Sequence, residues 1–234
     1  GAGTAVALCC AVAPAAVGLV PVAAFVGAFA SAMLVLEVSR RAGASRMTLI
    51  LTGVALSSIF SALIDLLVTL VPDALNGYSD FRIGGMNGVT LARVGPAAAI
   101  GAACLAGVLL LTNELDLLAL GSETARSLGL RVERMRVILL ALAAGLAGAA
   151  VSVAGLLSFV GLIVPHLLRR LLGEESRPLV VGCAFGGAAL LTVCDTAART
   201  LFAPYEIPVG VVLSLGGGPF FIWLLLRQKG GHRR

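Results

Sequence analysis

Charge is what this chain lacks most. Of its 234 residues only 12% are Asp, Glu, Lys or Arg, while 59% are hydrophobic. A soluble domain carries about 25% charged residues, so the polar surface needed to coat a globule of this length is missing. That excludes a soluble enzyme, a disordered regulator and a nucleic-acid module. Cysteine chemistry is missing too. Cys9 and Cys10 are adjacent, Cys104, Cys183 and Cys194 are isolated in apolar runs, and there is no CxxC or Cys/His cluster. These read as small buried hydrophobes rather than as a metal or disulfide framework. No GxxxxGK[ST] occurs, so the chain does not itself supply ATPase chemistry, and no Ser/His/Asp or Cys/His constellation is visible. The chain opens Gly1-Ala2-Gly3-Thr4, without an initiator Met or a basic segment. It does not read as a signal peptide but as a chain that begins part-way through a longer protein.

What is present is apolar sequence of membrane-spanning length. Mean hydropathy is +1.04, and a crossing helix needs about 20 mostly apolar residues. Eight candidates follow, at roughly 3–18, 20–38, 47–71, 94–112, 135–154, 157–172, 178–200 and 207–226. The first two are divided by the Gly18–Pro21 turn signal, and the fifth and sixth by Gly155. The expectation is an all-α, polytopic membrane helical bundle forming one transmembrane domain over 1–234. Runs of Ala and Gly, such as Ala141 to Ala150, favour close helix packing. The connections 72–93 and 113–134 are long. The former holds Asn76-Gly77 and Gly84-Gly85, and the latter has a helical pattern.

The net charge of +5 and pI near 9.3 could suggest nucleic acid, but the basic residues alternate between connections. Arg40, Arg41, Arg46, Arg126, Arg131, Arg134, Arg136, Arg169, Arg170, Arg177, Arg227, Lys229, Arg233 and Arg234 fall on one side, and only Arg82, Arg93 and Arg199 on the other. The positive-inside rule makes the larger set cytoplasmic. The C-terminus is then cytoplasmic, and 72–93 faces outward.

The segment Asn113-Glu-Leu-Asp-Leu-Leu-Ala-Leu-Gly-Ser-Glu-Thr-Ala-Arg-Ser-Leu-Gly-Leu130 is the most informative. Leu117, Leu120, Ala125 and Leu128 recur at near-helical spacing, Gly121 and Gly129 punctuate it, and Ser122 is placed to cap the turn that follows. Glu123 and Arg126, three apart, are placed to pair. A short helix, a sharp turn and another short helix are expected, either as an ordinary interfacial loop or as a docking surface for a cytoplasmic partner.

Within the spans, Asp65 and Asp195 are carboxylates that cost about 2.5–3.5 kcal/mol at mid-membrane and so should face protein or water. Asp195 lies four residues before Arg199, which predicts an intrahelical ion pair; a structural role is favoured for both acids over contact with cargo. His166, without a nearby Cys, Asp or second His, reads as structural rather than metal-ligating. Gly216-Gly217-Gly218-Pro219 is expected to break the last helix, and Pro208 to begin it, with Glu206 just before.

Ala119-Leu-Gly-Ser-Glu-Thr-Ala-Arg-Ser-Leu-Gly129 resembles the coupling region of the FecCD-type permeases, which import iron-siderophores, haem and vitamin B12. Four further stretches agree in order: Leu51-Thr-Gly-Val-Ala-Leu-Ser57, Gly155-Leu-Leu-Ser-Phe-Val-Gly-Leu-Ile-Val-Pro-His-Leu-Leu-Arg169, Asp195-Thr-Ala-Ala-Arg199, and Glu206-Ile-Pro-Val-Gly-Val-Val212 followed by Gly217-Gly-Pro-Phe220. The family fold has ten membrane helices, so the resemblance implies that this chain begins at the third. It also implies a type II ABC importer. Two copies of the permease would line the pathway, ATP-binding subunits would carry ATP and Mg below, and a periplasmic or lipoprotein binding protein would dock above. No cofactor would sit in this chain. The bacterial cytoplasmic membrane and its lipid would be its surroundings.

By the same resemblance, 113–134 would be the coupling helices, with Leu118 and Leu120 inserting into the ATPase and Gly121, Glu123, Ala125, Arg126, Leu128 and Gly129 completing the surface. Arg199 would grip a carboxylate of the binding protein, its alternative being a snorkel to lipid headgroups; Arg82 and Arg93 are weaker docking candidates. Ser45, Arg46, Met47 and Thr48 would form the cytoplasmic gate, or Ser45 simply caps a helix. Asp65 could line the pathway. The cargo would be an iron chelate, a siderophore before haem or vitamin B12. An ion-gradient-driven secondary transporter is the first rival, supported by Asp65 and the Gly216–Pro219 break. A membrane enzyme using His166, Asp195 or Glu206 is the second, opposed by their placement on different membrane faces.

Overall fold

The computed structural model describes residues 1–12, 17–42, 46–72, 75–201 and 207–229. Ser45, Glu206 and His232, and the side chain of Arg46, lie outside the described part. Among the described residues the regular structure is entirely helical. The helices are α1 (Ala2–Val12), α2 (Val20–Arg41), α3 (Arg46–Leu70), α4 (Leu75–Ile83), α5 (Leu91–Leu110), α6 (Thr112–Ala119), α7 (Ser122–Ser127), α8 (Val132–Ala154), α9 (Val160–Leu172), α10 (Ser176–Leu201) and α11 (Val209–Lys229). Five of them, α2, α3, α5, α8 and α10, are long and apolar enough to cross a membrane. Each of the eight expected spans holds a helix, but α1 has 11 residues and α9 has 13. At 1.5 Å per residue α9 covers only about 20 Å.

The chain packs as two compact units, residues 1–82 with 88–155, and 83–87 with 156–234. In the first, α2 packs on α1, α3 and α8, and α5 packs on α8. Small residues on α8 make this possible. Ala144, Gly145, Gly148 and Ala149 are all buried. A Cβ on Gly148 would come within 2.8 Å of the Phe25 ring on α2, and one on Gly145 within 2.7 Å of the Cys104 sulfur on α5. Close backbone approach substitutes for the hydrophobic drive that lipid removes. The connection after α3 contains α4, which the turn signals at Asn76-Gly77 conceal. Tyr78 and Phe81, three apart, are its buried face.

In the second unit α10 lies on α9. α8 ends at Gly155 (φ +69), the break read from the sequence. Phe159, at φ +66, is the only non-glycine residue with positive φ among those described, and it starts α9. Its side chain rests against α11 at Gly217, where an added Cβ would fall 2.6 Å from the Phe159 Cβ. This corrects the expected break: α11 runs unbroken through Gly216–Pro219. Pro219 costs one backbone hydrogen bond, and the glycine there serves the contact with Phe159. Residues 83–87 join this unit through backbone. The Gly210 N–H donates to the Gly84 carbonyl at 3.2 Å.

The spans are clad in exposed apolar side chains. Ile50, Leu51 and Val54 on α3 are each more than 60% exposed, and no residue of α5 is buried. In water such a surface would aggregate; it is suited to lipid and to further protein.

Candidate functional site

The 113–134 segment folds as the expected pair of short helices, and glycines shape it. Gly121 links α6 to α7 at φ +112, ψ 152, a backbone region essentially reserved for glycine. α7 closes with a Schellman arrangement: the Leu130 N–H donates to the Ala125 carbonyl and the Gly129 N–H to that of Arg126, both at 3.0 Å, with Gly129 at φ +87. Ser122 is the first residue of α7, and no side chain caps it; Gly121 occupies the capping position instead. The Arg126 guanidinium donates from Nη2 to Glu133 Oε1 at 3.0 Å. The expected partner was Glu123. The turn at Gly129 brings the first turn of α8 back to α7, so the through-space neighbour wins over the sequence neighbour.

The residues of this segment divide by exposure. Leu120 and Leu128 are 66% and 61% exposed, and Glu123 and Arg126 are exposed with them. Ala125 is wholly buried and holds α7 in place. Leu118 is half-buried and faces a cavity with α2, α3 and α8, so it does not share the outer surface of Leu120. An open groove next to it is lined by Arg126, Arg131, Glu133 and Arg134.

On α3, Gly53, Ser57, Ser61 and Asp65 recur every four residues and line an open groove together with Ser58. Their hydroxyls and the carboxylate are exposed. Some of the polarity is turned inward, since Ser58 donates to the Val54 carbonyl at 3.1 Å and Thr69 to that of Asp65 at 2.7 Å. Asp65 stands out in the sequence as a carboxylate within a span; the four-residue spacing of the small and polar residues is the signal for the rest. Met47, 65% exposed, sits in the first turn of the same helix, and Thr48 is half-buried beside it.

On α10 the expected ion pair is present: Arg199 Nε donates to Asp195 Oδ2 at 2.8 Å. The arginine side chain stays 46% exposed while the aspartate is 23% exposed. The carboxylate thus orients a guanidinium that still reaches solvent. Arg82 at the end of α4 and Arg93 at the start of α5 are exposed as well.

Membrane-length helices, a polar stripe along one of them and an exposed helix pair at the chain's basic connection together define a multi-pass membrane protein. The chain belongs to the FecCD transport family, whose profile matches residues 1–227. It is 40% identical over 210 residues to the hemin transport system permease protein HmuU of Yersinia pestis, covering 89% of this chain and 63% of that one. It is 36% identical over 211 residues to the Fe(3+) dicitrate transport system permease protein FecD of Escherichia coli K12, covering 90% of this chain and 66% of that one. The chain therefore spans a little under two thirds of the length of these relatives. A solved structure described provisionally as a metal-chelate type ABC transporter, in an inward-facing conformation, superposes with a TM-score of 0.88 at 27% identity, over 97% of this chain and 73% of that one.

Proposed function

We propose that the chain is part of the membrane-spanning permease subunit of an ATP-binding-cassette importer that carries an iron chelate across the bacterial cytoplasmic membrane. The observation that carries this reading is the glycine-bracketed α6–α7 pair with Leu120, Glu123 and Leu128 outward. A transporter driven by an ion gradient has no use for such a docking surface; an ATP-driven one needs it. ATP and Mg belong to separate ATP-binding subunits seated on α7. Two permease copies bring their α3 stripes to the pathway, where small hydroxyls and Asp65 are compatible with a large hydrated chelate. Arg46, Met47 and Thr48, with Ser45, form the cytoplasmic gate at the start of α3. The relatives named for hemin and for ferric dicitrate support the cargo class. A ferric siderophore is preferred, with haem and vitamin B12 behind it.

The test is purification of the full-length permease from its own membrane in mild detergent. An ATP-hydrolysing subunit is expected to travel with it, and Arg126→Ala to weaken that association or uncouple hydrolysis. A chain that purifies alone, without ATPase activity, would put the gradient-driven transporter first.

Arg199 is the docking residue for a carboxylate of the external binding protein. Hydrogen bonds to charged groups contribute about 1.5–3 kcal/mol. Arg199→Glu is therefore expected to lower binding-protein affinity at least tenfold, measured by titration onto permease in nanodiscs, and to leave basal ATP hydrolysis unchanged. An unaltered affinity would assign Arg199 to the lipid headgroups instead.

A further inference from the structure

The cavity that Leu118 faces in the first unit is one that the transport reading does not use. It measures about 310 Å³ and lies between the end of α2, the start of α3, α6 and the first turns of α8. Its apolar lining is six leucines and Val137, with Leu36 from α2, Leu49 from α3, Leu118 from α6 and Leu140 from α8 among them. Arg40 and Arg136 stand in the same lining with Ser39 and Glu133. The charges do not cancel. Glu133 is already bonded to Arg126 at 3.0 Å. Glu37 is shared between Arg41 at 2.8 Å and Arg40 at 3.7 Å. Arg136 has no ion pair among the described residues. The cavity is thus an apolar pouch with surplus positive charge.

Its place in the fold selects the occupant. Arg40 is in the last turn of α2 and Arg136 in the first turns of α8, and both helices are of membrane-crossing length. The pouch therefore lies at the bilayer surface, on the side to which the basic residues assign the cytoplasm. That leaflet is rich in anionic lipid, and basic pockets between membrane helices on this side suit anionic headgroups. A free anion would have no use for six leucines, and a neutral lipid none for the arginines.

We propose that this cavity binds one anionic phospholipid of the cytoplasmic leaflet, its headgroup on Arg136 and Arg40 and the upper part of an acyl chain among the leucines. Because Leu118 belongs to α6, the bound lipid props the helix that precedes α7, so leaflet charge acts on the docking segment. The proposal rests on the membrane orientation given above and not on ATP coupling.

The test is native mass spectrometry of the full-length permease exchanged into mixed micelles of phosphatidylglycerol or phosphatidylcholine, without the ATP-binding subunit. One phosphatidylglycerol per chain is expected to be retained in preference to phosphatidylcholine. Near an anionic surface each basic residue contributes about 1 kcal/mol, or roughly fivefold. Arg136→Gln should therefore reduce phosphatidylglycerol retention about fivefold and leave phosphatidylcholine unchanged, and Arg136→Lys should retain most of it. Leu140→Trp, which fills the pouch from α8, should displace the lipid whatever its charge and serves if Arg136→Gln aggregates. Equal retention of the two lipids, or retention indifferent to both variants, overturns the site. So does loss of the lipid when the ATP-binding subunit is added, which would make the pouch part of the protein interface. None of these readings depends on transport, so failure here leaves the importer reading standing.

Discussion

A Gly121→Val permease is expected to reach the membrane folded and to lose at least nine tenths of its ATP-driven uptake. The reason is confined to the backbone. Nothing lies within 4 Å of where a Cβ would stand at Gly121, so the new side chain meets no obstacle. The conformation itself, φ +112 and ψ 152, is what a β-branched residue cannot adopt; forcing it costs about 1–3 kcal/mol. The link relaxes by re-aiming α7 relative to α6, which displaces Leu120 and Glu123 from a common surface. Since 1.4 kcal/mol is a factor of ten, strain of this size passed into the docking equilibrium accounts for the loss. Uptake of a labelled ferric siderophore or hemin into vesicles holding the assembled transporter measures it. Size-exclusion of the detergent-solubilised permease confirms folding. Uptake within twofold of the unsubstituted protein would show that the angle between α6 and α7 is irrelevant to coupling.

Gly210→Val should do the opposite and destabilise the folded protein. A Cβ at Gly210 would land directly on the carbonyl oxygen of Ile83 and within 3.0 Å of that of Gly84. Both are backbone atoms and cannot swing aside as a side chain can. Overpacking of this kind costs about 1–3 kcal/mol and at times more. Loss of the Gly210–Gly84 hydrogen bond adds about 1 kcal/mol. Against a total stability of about 5–15 kcal/mol, a lowered thermal midpoint in detergent and depleted membrane accumulation are expected. Gly187→Ala, on an open face of α10, should leave the midpoint where it was. Equal midpoints for the two variants would mean that residues 83–87 do not pack against α11.

Much of this was legible because membrane sequence is redundant. Long apolar runs mark α2, α3, α5, α8 and α10; only helices and closed barrels satisfy their backbone in lipid, and runs of about 20 apolar residues fit the helix. The Asp195–Arg199 pair followed from helical spacing alone, and Gly155 marked the end of α8. The failures share a cause. Arg126 bonds Glu133 rather than Glu123 because a turn folds the chain back, and no local rule contains that fold. Glycines at 216–218 resemble a break until Phe159 is known to lean on Gly217. In α4, Asn76-Gly77 carries a turn signature while Tyr78 and Phe81 are buried; tertiary burial overrode propensity. Leu118 and Leu120 are equivalent in sequence, and only the packing of α6 separates a cavity wall from an exposed contact.

The shortness of α9 has a consequence for the bilayer. About 20 Å of helix cannot cover the ~30 Å hydrocarbon thickness, and the chain before it, from Gly155 to Phe159, is not helical. A crossing here would join this short helix to irregular backbone. Irregular backbone survives at that depth only when something other than lipid covers it. Gly84 supplies part of the cover, with its backbone pressed so close to the Leu156 carbonyl that even a methyl group would collide. Its missing side chain works as insulation, keeping oil away from an exposed dipole by leaving no room for anything else.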